Sequence, residues 1–197
     1  NYLSSAPPYL RQTALGFAFL TIRFIFPLEF FLLRELMDCK SILDLGCGSG
    51  NIAISLAQSC EASMITTIDC SKEALEVAER NAKGQRLDHK IRFLQGDLFA
   101  TLRGDLGEKG FHLLVSNPPY IPTAQWGDLP SDVRHEPVLA LDGGWDGLDF
   151  YRRIFKEVQA FVRPGGFLIL EIGDGQRHAL EEMLEGHSYL KGIEFRK

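Results

Sequence analysis

Asn117, Pro118, Pro119 and Tyr120 are the residues of this chain whose types and order best suit chemistry. They follow a short apolar run, Leu113 to Val115, with the pattern of a buried strand, and two successive prolines can continue neither strand nor helix. The strand therefore ends in a stiff polar corner. A proline after it keeps Asn117 out of the α region, so its amide is presented from extended backbone. The carbonyl of Pro118, set between two rings, has no local N–H partner in a helix or ladder. An amide side chain, a free carbonyl and the Tyr120 ring together make a small rigid receptor for a planar NH2 group. The bland reading is a plain strand-ending turn.

A second constellation lies upstream. Ile42 to Leu45 reads as a buried strand, and Gly46, Cys47, Gly48, Ser49 and Gly50 form a turn before the helical periodicity of Ile52, Ile54, Leu56 and Ala57. Strand, glycine turn and helix make a cofactor cradle, because glycines admit close backbone approach and a helix N-terminus offers unpaired N–H groups. Met64 to Ile68 is the next strand. Asp69 at its end lies about twenty residues past the loop, where an acid accepts hydrogen bonds from ribose hydroxyls. Dinucleotide enzymes share such turns. Asp44, just before the glycines, would repel a pyrophosphate and suits an ammonium or sulfonium group, which favours S-adenosylmethionine over NAD. The competing reading of Asp44 and Asp69 is that of turn acids satisfied by backbone N–H groups.

These residues need a frame. Ser71 to Ala82 reads as a helix, Ile91 to Leu94 as a third strand leading to Gly96, Asp97, Leu98 and Phe99, and Leu148 to Val162 as a helix ended by Pro164 to Gly166. Phe167 to Ile172 reads as another buried strand, Ala179 to Leu184 as a helix, and Leu190 to Phe195 as a last strand. Strands alternating with helices predict an α/β fold, a mostly parallel sheet with helices on both faces and ligands at the carboxyl ends of its strands. The stretch Ile121 to Trp145 has little periodicity and reads as a functional flap; His135 in it reads as a loop-bracing residue and Asp142 to Asp146 as turn formers.

With 197 residues, 45% of them hydrophobic, the chain suits one domain with a full core. Its formal charge of −5 argues against nucleic-acid binding through the whole surface. Cys39, Cys47, Cys60 and Cys70 form no C-x-x-C pair, so no metal site is expected, and reduced thiols of a cytoplasmic protein are the simpler reading. Ala14 to Leu33 is apolar, but Arg23, Pro27 and Glu29 interrupt it. It therefore reads as a strand or turn near Pro27 and a core-facing helix from Leu28 to Met37, with a membrane anchor as the alternative. The first residue is Asn rather than Met, which reads as processing or trimming.

Asp44 to Asn51, Asn117 to Pro122, Glu136 to Leu148 and Leu170 to Gln176 together strongly resemble the HemK/PrmC-type protein-(glutamine-N5) methyltransferases, which modify peptide chain release factors. The resemblance runs from about Ser41 to Leu184. It implies a class I S-adenosylmethionine-dependent, Rossmann-like methyltransferase domain over 41–197, without its last strand. Residues 1–40 would be the remnant of a helical substrate-docking domain and linker. Of that family's Pro-Arg-Pro-Glu-Thr-Glu-like segment, Pro27 in Phe26 to Phe30 is the match.

The resemblance also implies roles. Gly46 to Gly50 would wrap the methionine part of the cofactor, Asp69 would bind ribose, and Asp97 with Leu98 would frame adenine. Asn117 and the Pro118 carbonyl would hold the glutamine amide, with Pro119 and Tyr120 beside it, and S-adenosylhomocysteine would leave as product. Positioning would do most of the catalysis; Glu136 is a candidate brace for the corner. Three other readings stand beside this one: an amino-methyltransferase acting on adenine in nucleic acid or on another protein glutamine, a non-catalytic S-adenosylmethionine-binding module, and a dinucleotide oxidoreductase.

Overall fold

Short apolar runs become the strands of one sheet in the computed structural model, which describes residues 39–60, 63–102, 110–130 and 133–195. The strands are β1 (Ser41–Leu45), β2 (Met64–Asp69), β3 (Ile91–Gln95), β4 (Phe111–Ser116) and β5 (Val162–Leu170), and every pairing is parallel in the order β3-β2-β1-β4-β5. Central strands of a parallel sheet are covered on both sides and so read as continuous apolar runs. β1 is such a strand, with Ile42, Leu43, Asp44 and Leu45 all buried.

Among the described residues five α-helices accompany the sheet: α1 (Asn51–Ser59), α2 (Lys72–Gly84), the single turn α3 (Val138–Leu141), α4 (Asp149–Glu157) and α5 (Arg177–Glu185). Alternate strand residues feed two cores. Ile42, Ile65, Leu113 and Val115 pack with Ala53, Ile54 and Ala57 of α1 and Ala82 of α2. Leu43, Leu45, Ile68 and Leu114 pack with Tyr151, Ile154 and Phe155 of α4 and Leu180 of α5. Helices thus cover both faces, as expected of the class. The local signals are also visible: Ser71 caps α2 by accepting from the Ala74 N–H at 3.1 Å, and Ala78 and Ala82 let that helix lie close.

Chain order reverses between β1 and β4, since β2 and β3 extend the sheet one way and β5 the other. That switch point is where an open α/β sheet leaves a crevice at its carboxyl edge.

Several expectations are corrected. The helix expected to reach Val162 stops at Glu157 and tightens into a 3₁₀ turn, Val158–Ala160. Pro164 to Gly166 do not separate helix from strand; they lie inside β5, where the β4–β5 register shifts between Phe111 and Leu113. A proline is tolerated at such an irregularity on an edge strand, and Gly165 takes a positive φ of 76° there. β5 ends at Leu170 rather than Ile172. Leu190 to Phe195 form no strand; Leu190 and Phe195 pack on the core beside α4 and α5, Arg177 lies over the Phe195 ring, and the Tyr189 hydroxyl donates to the Phe155 carbonyl. The flap is more ordered than its sequence suggests, with 3₁₀ turns at Thr123–Asp128 and Val133–His135, α3, and a bridge between Ile121 and Asp142. The expected helix from Leu28 to Met37 and the membrane alternative lie outside the described residues.

Candidate functional site

The glycine turn after β1 divides its labour. Gly46, Gly48 and Gly50 have φ of 71°, 52° and 82°, a left-handed region that side chains rarely adopt. A Cβ on Gly46 or Gly48 would project into open space, whereas one on Gly50 would sit 2.9 Å from the Ala78 Cβ. The first two therefore leave a cradle open, and the third lets α2 approach. The turn is tied to β2: Gly46 and Cys47 N–H both donate to the Ile68 carbonyl, at 2.8 and 3.2 Å. Asn81 of α2 donates to the Ser49 carbonyl at 2.9 Å. Gly50 caps α1 without a side-chain acceptor, and the Ala53 N–H faces the Asp44 carboxylate, so the Asn51 and Ile52 N–H groups are the ones that remain available to an anion. Burial pushes the Cys47 thiol up to about 12, so it stays a neutral filler of the turn.

Asp44 lies beneath this turn and is fully buried. Burial pushes its carboxyl up to about 7, and the Asp69 charge adds to this, while the Ala53 N–H and the Thr67 hydroxyl, 3.5 Å away, oppose it. Its Oδ1 has no hydrogen-bond partner among the described residues. An unpartnered buried carboxylate oxygen is costly, and a cation or an ordered water near it would recover that cost. An orphaned carboxylate oxygen below, open glycines above and the Asn51 and Ile52 N–H groups at the start of α1 beside them fit a ligand bearing both an ammonium and a carboxylate.

Asp69 accepts from the Gly48 N–H at Oδ2 and from the Ser71 N–H at Oδ1, both at 2.9 Å. The carboxylate thus braces the turn, and each oxygen retains a lone pair for a hydroxyl. After β3, Asp97 is exposed and pairs with Arg153 of α4 at 2.6 Å. Leu98 beside it is buried in the core yet has a φ of 48°, a strained backbone for a branched side chain.

On β4, Ser116 is buried and Asn117 is exposed. The Asn117 side chain makes no hydrogen bond to any described residue, and the Pro118 carbonyl accepts no backbone hydrogen bond among them. Both acceptors are free. The Tyr120 ring packs against the main core with its hydroxyl 3.4 Å from Glu171 Oε1; burial, then that carboxylate, pushes the phenol up to about 12.

Sequence-predicted residues therefore share one edge. Leu45 and Ser116 are register partners on adjacent strands, so Gly46 and Asn117 leave the sheet side by side. Asp69 pairs with Gln95 two residues before Asp97, and the Glu171 N–H donates to the Ser116 carbonyl. Glu136, the expected brace, is instead exposed, and its side chain makes no hydrogen bond to a described residue. The bracing comes from Asp142, which the sequence marks as a turn former, and from Gln176, to which the sequence reading gives no role of its own. Asp142 Oδ1 accepts from the Thr123 hydroxyl and the Gly144 N–H, at 2.7 and 3.0 Å. Gln176 bonds to Tyr120, Gly147 and Gly173. A glutamine following Gly173 and Gly175 past a strand end was the available signal.

Known proteins give this chain a family and a fold. The methyltransferase small domain family matches residues 30–128. The release factor glutamine methyltransferase of Moorella thermoacetica is 47% identical over 153 residues, 77% of this chain and 53% of that protein. The ribosomal protein uL3 glutamine methyltransferase of Francisella tularensis is 40% identical over 151 residues, 77% of this chain and 46% of that protein. The crystal structure of ribosomal protein L11 methylase from Lactobacillus delbrueckii has a TM-score of 0.57 and 19% identity, covering 84% of this chain and 68% of that one, a likeness of fold alone. The chain spans about half the length of the curated relatives it matches.

Proposed function

Since the chain belongs to the methyltransferase small domain family, among its HemK/PrmC-type members, we propose that it transfers a methyl group from S-adenosylmethionine to the side-chain amide N5 of a glutamine in a peptide chain release factor. The observation that carries this reading is the placement of two free acceptors, the Asn117 side-chain oxygen and the Pro118 carbonyl, directly beside the open glycine cradle.

In this reading Gly46 to Gly50 and the start of α1 hold the methionine part of the cofactor, Asp44 supplies negative potential beneath it, and Asp69, Asp97 and Leu98 hold the nucleoside. Bound S-adenosylmethionine supplies an electrophilic methyl on a sulfonium. A carboxamide nitrogen is a weak nucleophile because its lone pair is delocalised, so alignment is what the protein must provide. Asn117 Oδ1 and the Pro118 carbonyl accept the two amide hydrogens and turn the nitrogen toward the cradle. Transfer would form the N–C bond as the donor's S–C bond breaks, and the amide proton so released would pass to the solvent that reaches the exposed Asn117. Tyr120, held as a neutral phenol, walls the receptor and takes no proton.

Charge around the corner supports a protein substrate over nucleic acid. Residues 117–153 carry Asp128, Asp132, Glu136, Asp142, Asp146 and Asp149 against Arg134, Arg152 and Arg153, and with Arg152 paired to Asp146 and Asp149 the segment is still net negative in sequence. A phosphate backbone needs the opposite sign. Relatives are named for release factors and for uL3, and both act in translation, which fits the cytoplasm and four free cysteines. The test is transfer of labelled methyl to a release factor, to uL3 and to adenine-containing DNA, with the target glutamine changed to alanine as control. Label on the release factor that disappears in the control is the expected result. Label on uL3 alone moves the substrate, and label on DNA alone overturns the reading.

A further inference from the structure

Gln176, the residue that caps α5, joins three segments with one side chain. Its Nε2 donates to the carbonyls of Tyr120 and Gly147, each at 3.0 Å, and its Oε1 accepts from the Gly173 N–H at 2.9 Å. The partners fix the amide's orientation, because a flipped group would set donor against donor and acceptor against acceptors. Those segments are 56 and 29 residues away along the chain for Tyr120 and Gly147, so the bonds are tertiary. There is little slack. An added Cβ would lie 2.4 Å from the Tyr120 oxygen at Gly147, 2.8 Å from the Tyr120 Cα at Gly143, and 2.9 Å from the Tyr120 Cδ2 at Gly173.

We propose that Gln176 is a positioning residue for methyl transfer: by holding the Tyr120 carbonyl it sets the pitch of Asn117 and Pro118 against the glycine cradle, while touching neither reactant. The inference rests on the glutamine-methylation reading above. Two carbonyls and one N–H require two donors and one acceptor on a single planar group, which glutamine supplies at this reach. Glutamate keeps the shape but brings no donor, and it sets a carboxylate against two carbonyl oxygens. Since the nucleophile is weak, a small tilt of the corner falls on the chemical step rather than on binding.

The test compares the intact chain with Gln176→Glu and Gln176→Ala, measuring kcat, KM for the release factor, cofactor Kd by calorimetry, melting temperature, and hydrogen exchange over 117–123 and 143–149. Expected is a fall in kcat of at least tenfold in both variants, with KM and Kd within about twofold. Exchange should quicken at the Ile121 and Gly143 N–H groups, which bond to the Leu141 and Ile121 carbonyls, while β1 and β2 keep their protection. Unchanged kcat overturns the proposal. So does a fall in kcat matched by equal losses of cofactor affinity and of protection throughout the sheet, the signature of a merely structural contact. If the unaltered chain methylates no protein, the substrate reading fails on its own, and exchange still decides whether Gln176 holds the corner: unaltered exchange at Ile121 and Gly143 in both variants overturns the clamp.

Discussion

The buried Ser116 hydroxyl donates to the Leu45 carbonyl at 2.7 Å, at the point where β1 and β4 both end. This bond fixes the spacing between the cradle and the amide receptor. Ser116→Ala leaves a buried carbonyl short of a partner and should cost about 1–3 kcal/mol in urea unfolding. It should also lower kcat more than it changes cofactor affinity. A variant of unchanged stability would mean that the carbonyl finds another partner.

Asn117→Ala separates chemistry from folding. The side chain is exposed and makes no hydrogen bond to a described residue, so stability should change by less than about 0.5 kcal/mol. Turnover should fall at least a hundredfold with cofactor Kd nearly unaltered. Normal turnover would remove Asn117 from the receptor.

The glycine turn predicts a contrast. Gly48→Ala has room for its methyl but forces a positive φ, so it should cost about 1 kcal/mol of stability and weaken cofactor binding. Gly50→Ala adds a clash with Ala78 to the same strain and should cost about 2–4 kcal/mol. Thermal unfolding and calorimetry of the two variants would check the order, and equal stabilities would contradict it.

Asp44 sets a pH dependence. Its carboxyl titrates near 7 in the fold and near 3.8 when unfolded. Below the lower value both states are protonated and the stability is fully present. As pH rises toward 7 the unfolded chain ionises first, so stability declines, and it levels off above 7. The span is on the order of 4 kcal/mol at most. Asp44→Asn should flatten this decline in urea titrations at pH 5 and 8 and should be the more stable protein at pH 8, yet bind cofactor more weakly. A wild-type decline that survives the substitution would assign it to other groups.

How legible was this molecule in its sequence? The strands around Asp44 and Asn117 were readable because each is a short apolar run closed by glycine or proline, and the strand ending at Asp69 because the Ser71 cap of a helix follows at once; those signals are local. β5 was misread at its start because Pro164 and Gly165 look like punctuation, whereas the register shift against β4 absorbs them. Leu190 to Phe195 have strand-like residues, but their partners are α4 and α5, a tertiary choice that periodicity does not carry. In the site, the cradle and the corner were visible as motifs. Their supports were not: Gln176 reaches Tyr120 across 56 residues, and Arg153 reaches Asp97 across the same number. Long-range hydrogen bonds leave no spacing to read.

The chain distance across the central pairing sets an order of assembly. β1 meets β2 over a separation of 23 residues, but it meets β4 over 71, and the longer loop is dearer to close. Pulse-labelled exchange during refolding should therefore protect β1 and β2 before β4 and β5. On the proposed reading, the half that would hold the nucleoside is built from neighbours in sequence, and the half that would choose what is methylated joins last. If that reading holds, lesions in β4 and β5 should yield a chain that still retains a methyl donor while having lost the acceptor that gives it a purpose.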